Sequence, residues 1–518
     1  MKNKKSIRII ICGLIVYVLL LIVLTAVESK APGSSIHSIW DALWYSIITI
    51  TTVGYGDMAP VTPFGRVLGL VFALCSIGLL TALISLGVSL IGGEAPRFRL
   101  RHARSRNWYW FSEENADSTA LAKAIQQEDP DSLVVFPRGD GNPGKEPGVL
   151  RTDADPAELL RTREKPDGLS LFYAGEDRWH NAAAAVGAGD LGVPVYSLTD
   201  CAADNLPENV QFFSPSEVLS RSYWKKHPIG EQERCVIFIG CEETGSALLT
   251  RALLTNIFEK THVLEYHVFG SAQGFASLHP EIVAALAPGH PYEDSLIFHD
   301  EAWTAAPDLL ARADRIILCA DTDPENLTIH SQLRQWFAVP GKVHVRLFAE
   351  VPGVDSFGSR EDSLTPEFVM KDAVNHMAIL INDLYNENSD HPVAWRDLGE
   401  FFRQSNIAAA DHLPVKVRWL LGEDVRDITP EQCQQAYDVF CGLDPAQREI
   451  CREMEHRRWL RFYQMYNWRL ADKRNDALRL HVSMVPYDRL SEAEQKKDDY
   501  AWELLGSIAE RRSGREGV

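Results

Sequence analysis

The feature that most constrains the fold is a glycine-rich run between two long apolar segments near the N-terminus. The segments are residues 7–27 and 67–91, and the run at 51–57 reads TTVGYGD. The first segment contains one charge, Arg8, and the second contains none. Each supplies the roughly 20 apolar residues that a bilayer core requires. The sequence therefore predicts two membrane spans, with a cleaved signal peptide as the alternative for the first.

Basic residues lie at the outer ends of the two segments. Lysines and Arg8 lie at the start of the first, and a series of arginines follows the second. By the positive-inside rule, both ends of the pair then face the cytoplasm. This predicts a multi-pass protein of the inner (plasma) membrane with cytoplasmic termini and the lipid bilayer as a partner. The sequence has no extra helix with regularly spaced arginines, the pattern of a voltage sensor.

The loop between the spans contains an aromatic and apolar stretch, residues 38–50, that is too short to cross a bilayer. Such a stretch is typical of a re-entrant segment. The glycines of the run can adopt positive φ, which lets successive carbonyl oxygens point toward one axis. A glycine turn in an extracellular loop, or the loop of a sodium-conducting channel, is the alternative interpretation.

The run resembles the TVGYG filter of two-span potassium channels, with a match over roughly residues 7–93. The resemblance implies K⁺ as the permeant ion and a cyclic homotetramer, because one loop supplies a quarter of the filter. It assigns K⁺-coordinating carbonyl oxygens to Thr52, Val53, Gly54 and Tyr55. It also assigns Gly56 to the filter, Asp57 to its outer mouth, an aromatic cuff to Trp44 and Tyr45, and the inner helix bend to Gly78. Close helix packing is the alternative role for Gly78.

The remaining chain alternates short β-rich runs with helical stretches, which predicts parallel sheets covered by helices. Behind such a pore, the pattern resembles tandem RCK (regulator of potassium conductance) domains, which implies a cytosolic gating ring. The predicted fold is a membrane α-helical pore, two α/β doubly wound Rossmann-like domains and an all-α C-terminal domain. The predicted boundaries are pore 1–96, RCK-like domains 97–228 and 234–364, helical connector 365–450 and final domain 451–510.

The first strand–helix turn of the second RCK-like domain is the place to look for a nucleotide. Gly240 and Gly245 stand at the ends of the GxGxxG pattern, but Glu242 replaces its middle glycine. Bulk and negative charge at that position argue against NAD in its usual pose. Asp321 and Asp323, after a later strand, complete the candidate ligand turn. A packed scaffold without ligand is the alternative for each domain.

Near the C-terminus, an EHRRW helix start is followed by a VPYDRL turn, and the two together resemble the RyR repeat. That resemblance implies a sensor of a small nucleotide-derived ligand. The candidate contact residues are Glu455, His456, Arg458, Trp459, Trp468 and Tyr487. Arginine suits bidentate phosphate recognition and tryptophan stacks on bases. The alternative is that the tryptophans are core residues and the charges are solvated.

Composition limits the remaining function classes. The net charge of −19 argues against nucleic acid as a partner. Nine cysteines with no CxxC pair indicate a reducing cytosol for most of the chain. The sequence thus predicts a ligand-gated potassium channel and not an enzyme. A defence effector that dissipates ion gradients on a nucleotide signal is the first alternative, and a membrane-tethered NAD-binding protein is the second.

Overall fold

A computed structural model describes residues 16–51, 53–73, 107–139, 146–157, 160, 168–201, 205–271, 273–290, 292–423 and 425–516. The chain divides into two compact units, residues 1–104 and 105–518. Within the described ranges, no helix combines the length and the apolar character needed to cross a membrane. Two predicted site residues, Thr52 and Gly78, lie outside the described residues.

The first unit contains three described helices: α1 at 16–28, α2 at Ile39–Ile50 and α3 at 63–73. Ser38 starts α2 with a capping box, because its hydroxyl accepts from the Asp41 amide and Asp41 accepts from the Ser38 amide. The buried side chains of the main hydrophobic cluster in this unit are Leu21, Leu24, Ile36, Ala42, Leu68 and Phe72. Together they pack the three helices around one small core.

The second unit begins with a six-stranded parallel sheet in the order β3-β2-β1-β4-β5-β6. Its strands are β1 Trp108–Phe111, β2 Leu133–Pro137, β3 Val149–Thr152, β4 Leu169–Tyr173, β5 Val195–Leu198 and β6 Val210–Phe213. Its helices are α4 Ala116–Glu128, α5 Arg178–Gly187 and α6 Pro215–Lys226. All four residues of β1 are buried, as expected for a parallel strand covered on both faces.

A second six-stranded parallel sheet follows, in the order β12-β11-β10-β7-β8-β9. Its strands are β7 Cys235–Ile239, β8 Glu265–Phe269, β9 Ser295–His299, β10 Arg315–Leu318, β11 Lys342–Arg346 and β12 Ser356–Phe357. Its helices are α7 Glu243–Thr255, α8 Gln273–Leu278, α9 Pro280–Ala285, α10 Pro307–Arg312 and α11 Asp323–Trp336. Both sheets have the doubly wound order, so the prediction of two Rossmann-like layers is confirmed.

The C-terminal part is mainly helical. Its helices are α12 Arg360–Ser363, α13 Pro366–Val369, α14 His376–Glu387, α15 Glu400–Leu421, α16 Pro430–Gly442, α17 Pro445–Met465, α18 Glu492–Gln495 and α19 Tyr500–Glu516. Asn467, with φ of 59°, turns the chain away from the end of α17. The parallel pair β13 Arg469–Leu470 and β14 Leu480–His481 follows this turn. The prediction of an all-α C-terminal domain is therefore wrong in this detail.

Helix α15 joins the sheets to the helical part. Asp411 accepts from Arg221 Nε of α6 at 2.9 Å and lies 3.1 Å from Arg251 Nη1 of α7. His412 Nε2 donates to the Ile257 carbonyl at 2.8 Å, and Lys416 Nζ lies 2.8 Å from a carboxylate oxygen of α17. Since these partners are mostly buried, the middle of α15 is fixed to helices of both sheets and to α17.

Candidate functional site

The glycine turn after α2 is held to the end of that helix. The amides of Val53 and Gly54 both donate to the Ile48 carbonyl, at 3.0 and 3.1 Å. Gly54 and Gly56 have φ of 55° and 74°, a region that residues with a Cβ rarely adopt. The prediction that the glycines adopt positive φ is confirmed. The turn thus lies at the C-terminal end of a helix, where the helix dipole favours cations.

Trp44 connects the helix to the turn. Its ring stacks on Tyr55, with centroids 6.4 Å apart and planes 8° from parallel. Its Nε1 donates to Asp57 Oδ2 at 3.0 Å. Tyr45 points away from the turn, and its hydroxyl group lies against Gly69 of α3. A Cβ placed on Gly69 would lie only 2.5 Å from the Tyr45 hydroxyl oxygen. The structure therefore brings Trp44, Tyr55 and Asp57 together and places Tyr45 against α3.

Sequence reasoning missed Glu28, at the end of α1. Its buried carboxylate accepts from the amides of Val61 and Thr62, at 2.9 and 3.0 Å. The hydroxyl groups of Thr62 and Ser34 donate to the same carboxylate. Four donors converge on one charge, which makes this a strong local anchor. The only signal in the sequence was a single acid at the end of an apolar segment.

In the second sheet, the turn after β7 is closely packed against the loop after β10. Gly240 has φ of 93°, and a Cβ placed on it would lie 2.5 Å from the Ala320 amide nitrogen. A Cβ placed on Gly245 would lie 2.4 Å from the Gly240 carbonyl oxygen. Both glycines are therefore required by packing between two loops at the switch point of the sheet. Glu242 is exposed at the N-cap position of α7.

The two aspartates of this candidate ligand turn bind groups of the same chain. Asp321 Oδ1 accepts from the Thr244 amide, in the first turn of α7, at 3.5 Å. Asp323 accepts from the Phe348 amide at 2.9 Å, and Arg346 Nη1 donates to the Asp321 carbonyl at 2.9 Å. A helix N-terminus at this switch point is where a dinucleotide phosphate usually binds. Here a carboxylate of the chain contacts it instead.

One group of side chains in the described residues has the spacing of metal ligands. Ligand atoms of Cys235, Glu265 and His267 all lie within 4.8 Å of one another. Arg312 already bridges two of them, with Nη1 2.6 Å from Glu265 Oε2 and Nη2 3.3 Å from His267 Nε2. Burial raises the pKa of Cys235 to about 11, which keeps it protonated at neutral pH. The group is therefore a polar cluster at the protein surface, organised by the Arg312 guanidinium.

In the helical part, two predicted contact residues form a buried ion pair. Arg458 Nη2 lies 2.6 Å from Glu455 Oε1, and Lys416 Nζ lies 2.8 Å from Glu455 Oε2. Burial alone raises the pKa of Glu455, but the attraction of Arg458 and Lys416 outweighs it and holds the pKa well below its usual range. Burial and the Glu455 charge raise the pKa of Asp498 to about 8. Glu455 and Arg458 thus neutralise each other inside the protein, with Lys416 as a second cation on Glu455.

Three further predicted residues also lie inside the module. His456 is buried, and its Nε2 donates to the Val485 carbonyl at 2.7 Å. Tyr487 and Trp468 are buried as well. The Trp468 indole Nε1 has no hydrogen-bond partner in the part of the chain that the structure describes. These positions have the burial of core residues.

The remaining predicted residue, Trp459, belongs to an aromatic group at the edge of the module. Its ring centroid lies 4.2 Å from Tyr463 and 5.0 Å from His481. Tyr463 also contacts Trp468, with centroids 4.9 Å apart. Trp459 and His481 are both half-buried, so part of this group faces outward. The predicted contact residues are therefore divided between a buried ion pair and an aromatic group that is partly exposed.

Comparison with known proteins shows which family the first unit resembles. Residues 7–92 match a family described as ion channel. That family is one of ion channels and not of enzymes, so the matched segment resembles a channel pore. A voltage-gated potassium channel of Aeropyrum pernix is 53% identical over 58 residues, covering 11% of this chain and 20% of that protein.

Two further comparisons extend this result. Two-pore potassium channel 5 of Arabidopsis thaliana is 38% identical over 84 residues, covering 16% of this chain and 21% of that protein. This chain thus spans about a fifth of the length of these two relatives. Among solved structures, the GsuK channel gives a TM-score of 0.43 at 12% identity, covering 73% of this chain and 86% of that one. A TM-score of this size carries no inference about ligands.

Proposed function

We propose that the protein is a homotetrameric, ligand-gated potassium channel. The observation that carries the proposal is the turn at residues 53–57, inside a segment matched to ion channels. Two glycines in left-handed conformation, a stacked Trp44–Tyr55 pair and the Trp44–Asp57 hydrogen bond organise this turn at the end of a helix. Four such turns around one axis supply the ring of backbone oxygens that replaces the hydration shell of K⁺.

Gating is assigned to the second unit. The two doubly wound layers act as the RCK ring, and a nucleotide-derived ligand shifts the population of open and closed states. To move a mostly closed pore to a mostly open one, the ligand binds the open state more tightly by about 5 kcal/mol. We do not expect NAD in its usual pose at the second sheet, because Glu242 replaces the middle glycine and Asp321 lies at the α7 N-terminus.

Ion flux in liposomes tests the conducting part of this proposal. Full-length protein is reconstituted, and K⁺ and Na⁺ fluxes are measured with and without ATP, NAD, ADP-ribose and a cyclic dinucleotide. We expect K⁺ flux well above Na⁺ flux, and a change in K⁺ flux with at least one nucleotide. The absence of K⁺ flux under all these conditions would refute the channel assignment.

A pair of glycine variants locates the filter. Gly54→Ala places a Cβ at φ of 55° in the turn, and we expect loss of K⁺ selectivity. Gly33→Ala is the matched control, because Gly33 also has positive φ (83°) and lies in the same unit outside the turn. Equal effects of the two variants on selectivity would contradict the assignment of the filter.

A further inference from the structure

A large cavity lies at the edge of the second sheet opposite the switch-point turn. Its volume is about 840 Å³, within the range of small-molecule sites. Its walls come from the amino ends of β7, β10 and β11, from the segment 226–232 after α6, and from the C-terminal end of α15. The cavity is thus bounded by the second sheet, by the segment that connects the two sheets, and by the helical part of the chain.

The walls of this cavity are basic, although the whole chain is acidic. Six lysine or arginine residues line it, against four aspartate or glutamate residues. The basic residues are Lys226, Arg234, Arg315, Lys342, Arg418 and Arg426. One of the four acids, Glu259, accepts from the Trp419 indole Nε1 at 3.3 Å. A net positive cavity in a chain of charge −19 attracts anions locally.

Arg315 is the fixed cation of this cavity. Its side chain is 1% exposed, and its Nη1 and Nη2 donate to the carbonyls of His227 and Pro228 at 2.6 and 2.9 Å. Glu233 lies 2.7 Å from Nη2, while Nε has no hydrogen-bond partner among the described residues. The Glu233 carboxylate already pairs with this guanidinium and also lies 2.6 Å from Lys342 Nζ, so Arg315 contributes a fixed positive charge behind the wall and not a contact to a ligand.

The two histidines of the wall are kept neutral mainly by burial. Burial, with smaller contributions from Arg315 and Lys342, lowers the pKa of His344 to about 3. Burial also lowers the pKa of His227, while Asp355 raises it and nearby cations lower it. Both imidazoles are therefore neutral at physiological pH, so the positive charge of the cavity belongs to its lysines and arginines.

Planar aromatic groups lie beside these cations. The rings of Phe258 and His262 are stacked, with centroids 4.4 Å apart and planes 12° from parallel. Both residues line the cavity, as does Trp419 on the facing helix α15. A planar base gains stacking energy on such rings, and phosphates gain charge-assisted hydrogen bonds from arginine and lysine. The cavity thus offers both kinds of contact that a nucleotide needs.

We propose that this cavity binds a nucleoside polyphosphate, with its phosphates at Lys342 and Lys226 and its base near His262 and Trp419. The proposal rests on the proposed function and gives its ligand a class and a site. Because the walls belong to the second sheet, the segment after α6 and α15, the bound ligand holds these three elements together. Occupancy of the cavity then changes the relative stability of arrangements of the second unit.

Equilibrium binding to purified full-length protein in detergent tests the site. ATP is titrated into the wild type, Lys342→Glu and Lys226→Glu, with melting temperatures measured to confirm folding. We expect at least tenfold weaker ATP binding in each variant, and weaker binding to the wild type as salt increases. Lys371→Glu is the matched control, since Lys371 is similarly exposed and ion-paired but lies outside the cavity. It should bind ATP as the wild type does.

Three outcomes overturn the proposal. The first is no ATP binding to the wild type, and the second is binding that Lys342→Glu and Lys226→Glu leave unchanged. The third is inorganic tripolyphosphate binding as tightly as ATP, which refutes the role of the aromatic wall. Basal K⁺ flux of the same proteins, reconstituted into liposomes, separates this proposal from the proposed function. Flux without ATP binding would refute the site and leave the channel assignment standing.

Discussion

Replacing Glu28 by glutamine tests how the segment that contains Val61 and Thr62, after the glycine turn, is held in place. In the wild type, Oε1 accepts from the Thr62 amide and hydroxyl group, and Oε2 accepts from the Val61 amide and the Ser34 hydroxyl group. The glutamine amide nitrogen is a donor, so it faces two donors and those two hydrogen bonds are lost. The carboxylate charge is lost as well.

The size of the effect follows from these bonds. Hydrogen bonds to a charged group contribute about 1.5 kcal/mol or more each, so two lost bonds cost about 3 kcal/mol. That free energy corresponds to about a hundredfold change in the opening equilibrium of the segment. Since Glu28 is buried, little solvent screening reduces this figure.

Hydrogen exchange of the full-length protein measures that opening. We expect the amides of Val61 and Thr62 to lose about two orders of magnitude of protection in Glu28→Gln. Ser34→Ala is the control, because it removes one donor from the same carboxylate and leaves its charge, for about 1.5 kcal/mol. Unchanged exchange at Val61 and Thr62 in Glu28→Gln would show that the carboxylate does not anchor the segment.

Three further predictions concern the second unit. Gly245→Ala, whose Cβ would lie 2.4 Å from a carbonyl oxygen, should lower the melting temperature by several degrees, whereas Gly274→Ala, in open space, should not. Glu455→Gln should lower the free energy of unfolding in urea by about 3–5 kcal/mol, because it leaves buried cations unpaired. Glu453→Gln, which breaks a more exposed ion pair, should lower it by less than about 1 kcal/mol. Burial lowers the pKa of His412 from 6.5 to about 3, so stability present above pH 6.5 should fall by about 1.4 kcal/mol per pH unit as pH drops toward 3. His412→Gln should remove that part of the slope, and an unchanged slope would contradict the assignment.

The sheets were predictable because their strands are short apolar runs with helical stretches between them. Strands buried on both faces read as continuous hydrophobic segments, as in β7 and β10. The pair β13–β14 was not predictable, since its strands have two residues each and follow from a turn at Asn467. Two residues carry too little periodicity to distinguish a strand from a loop.

The candidate sites were predictable only where local sequence sets the geometry. The glycine turn at 53–57 depends on nearby residues, so its glycines and Trp44 could be chosen from the motif. The partner of Glu455 from α15, Lys416, is distant in sequence, so burial of the Glu455–Arg458 pair could not be seen in the EHRRW motif. The basic cavity was missed for the same reason, because Arg315 and Lys342 come from different strands and carry no shared motif.

Helix α15 has 22 residues, which gives it a length of about 33 Å. Its C-terminal end forms a wall of the basic cavity, and Lys416 places its middle in the buried ion network of α17. One helix therefore contacts both places, and Val415 and Lys416, which face them, are consecutive residues beside Pro414. For the anion site proposed above, we expect substitutions at Glu455 to change the affinity for the anion without removing any residue that lines the cavity.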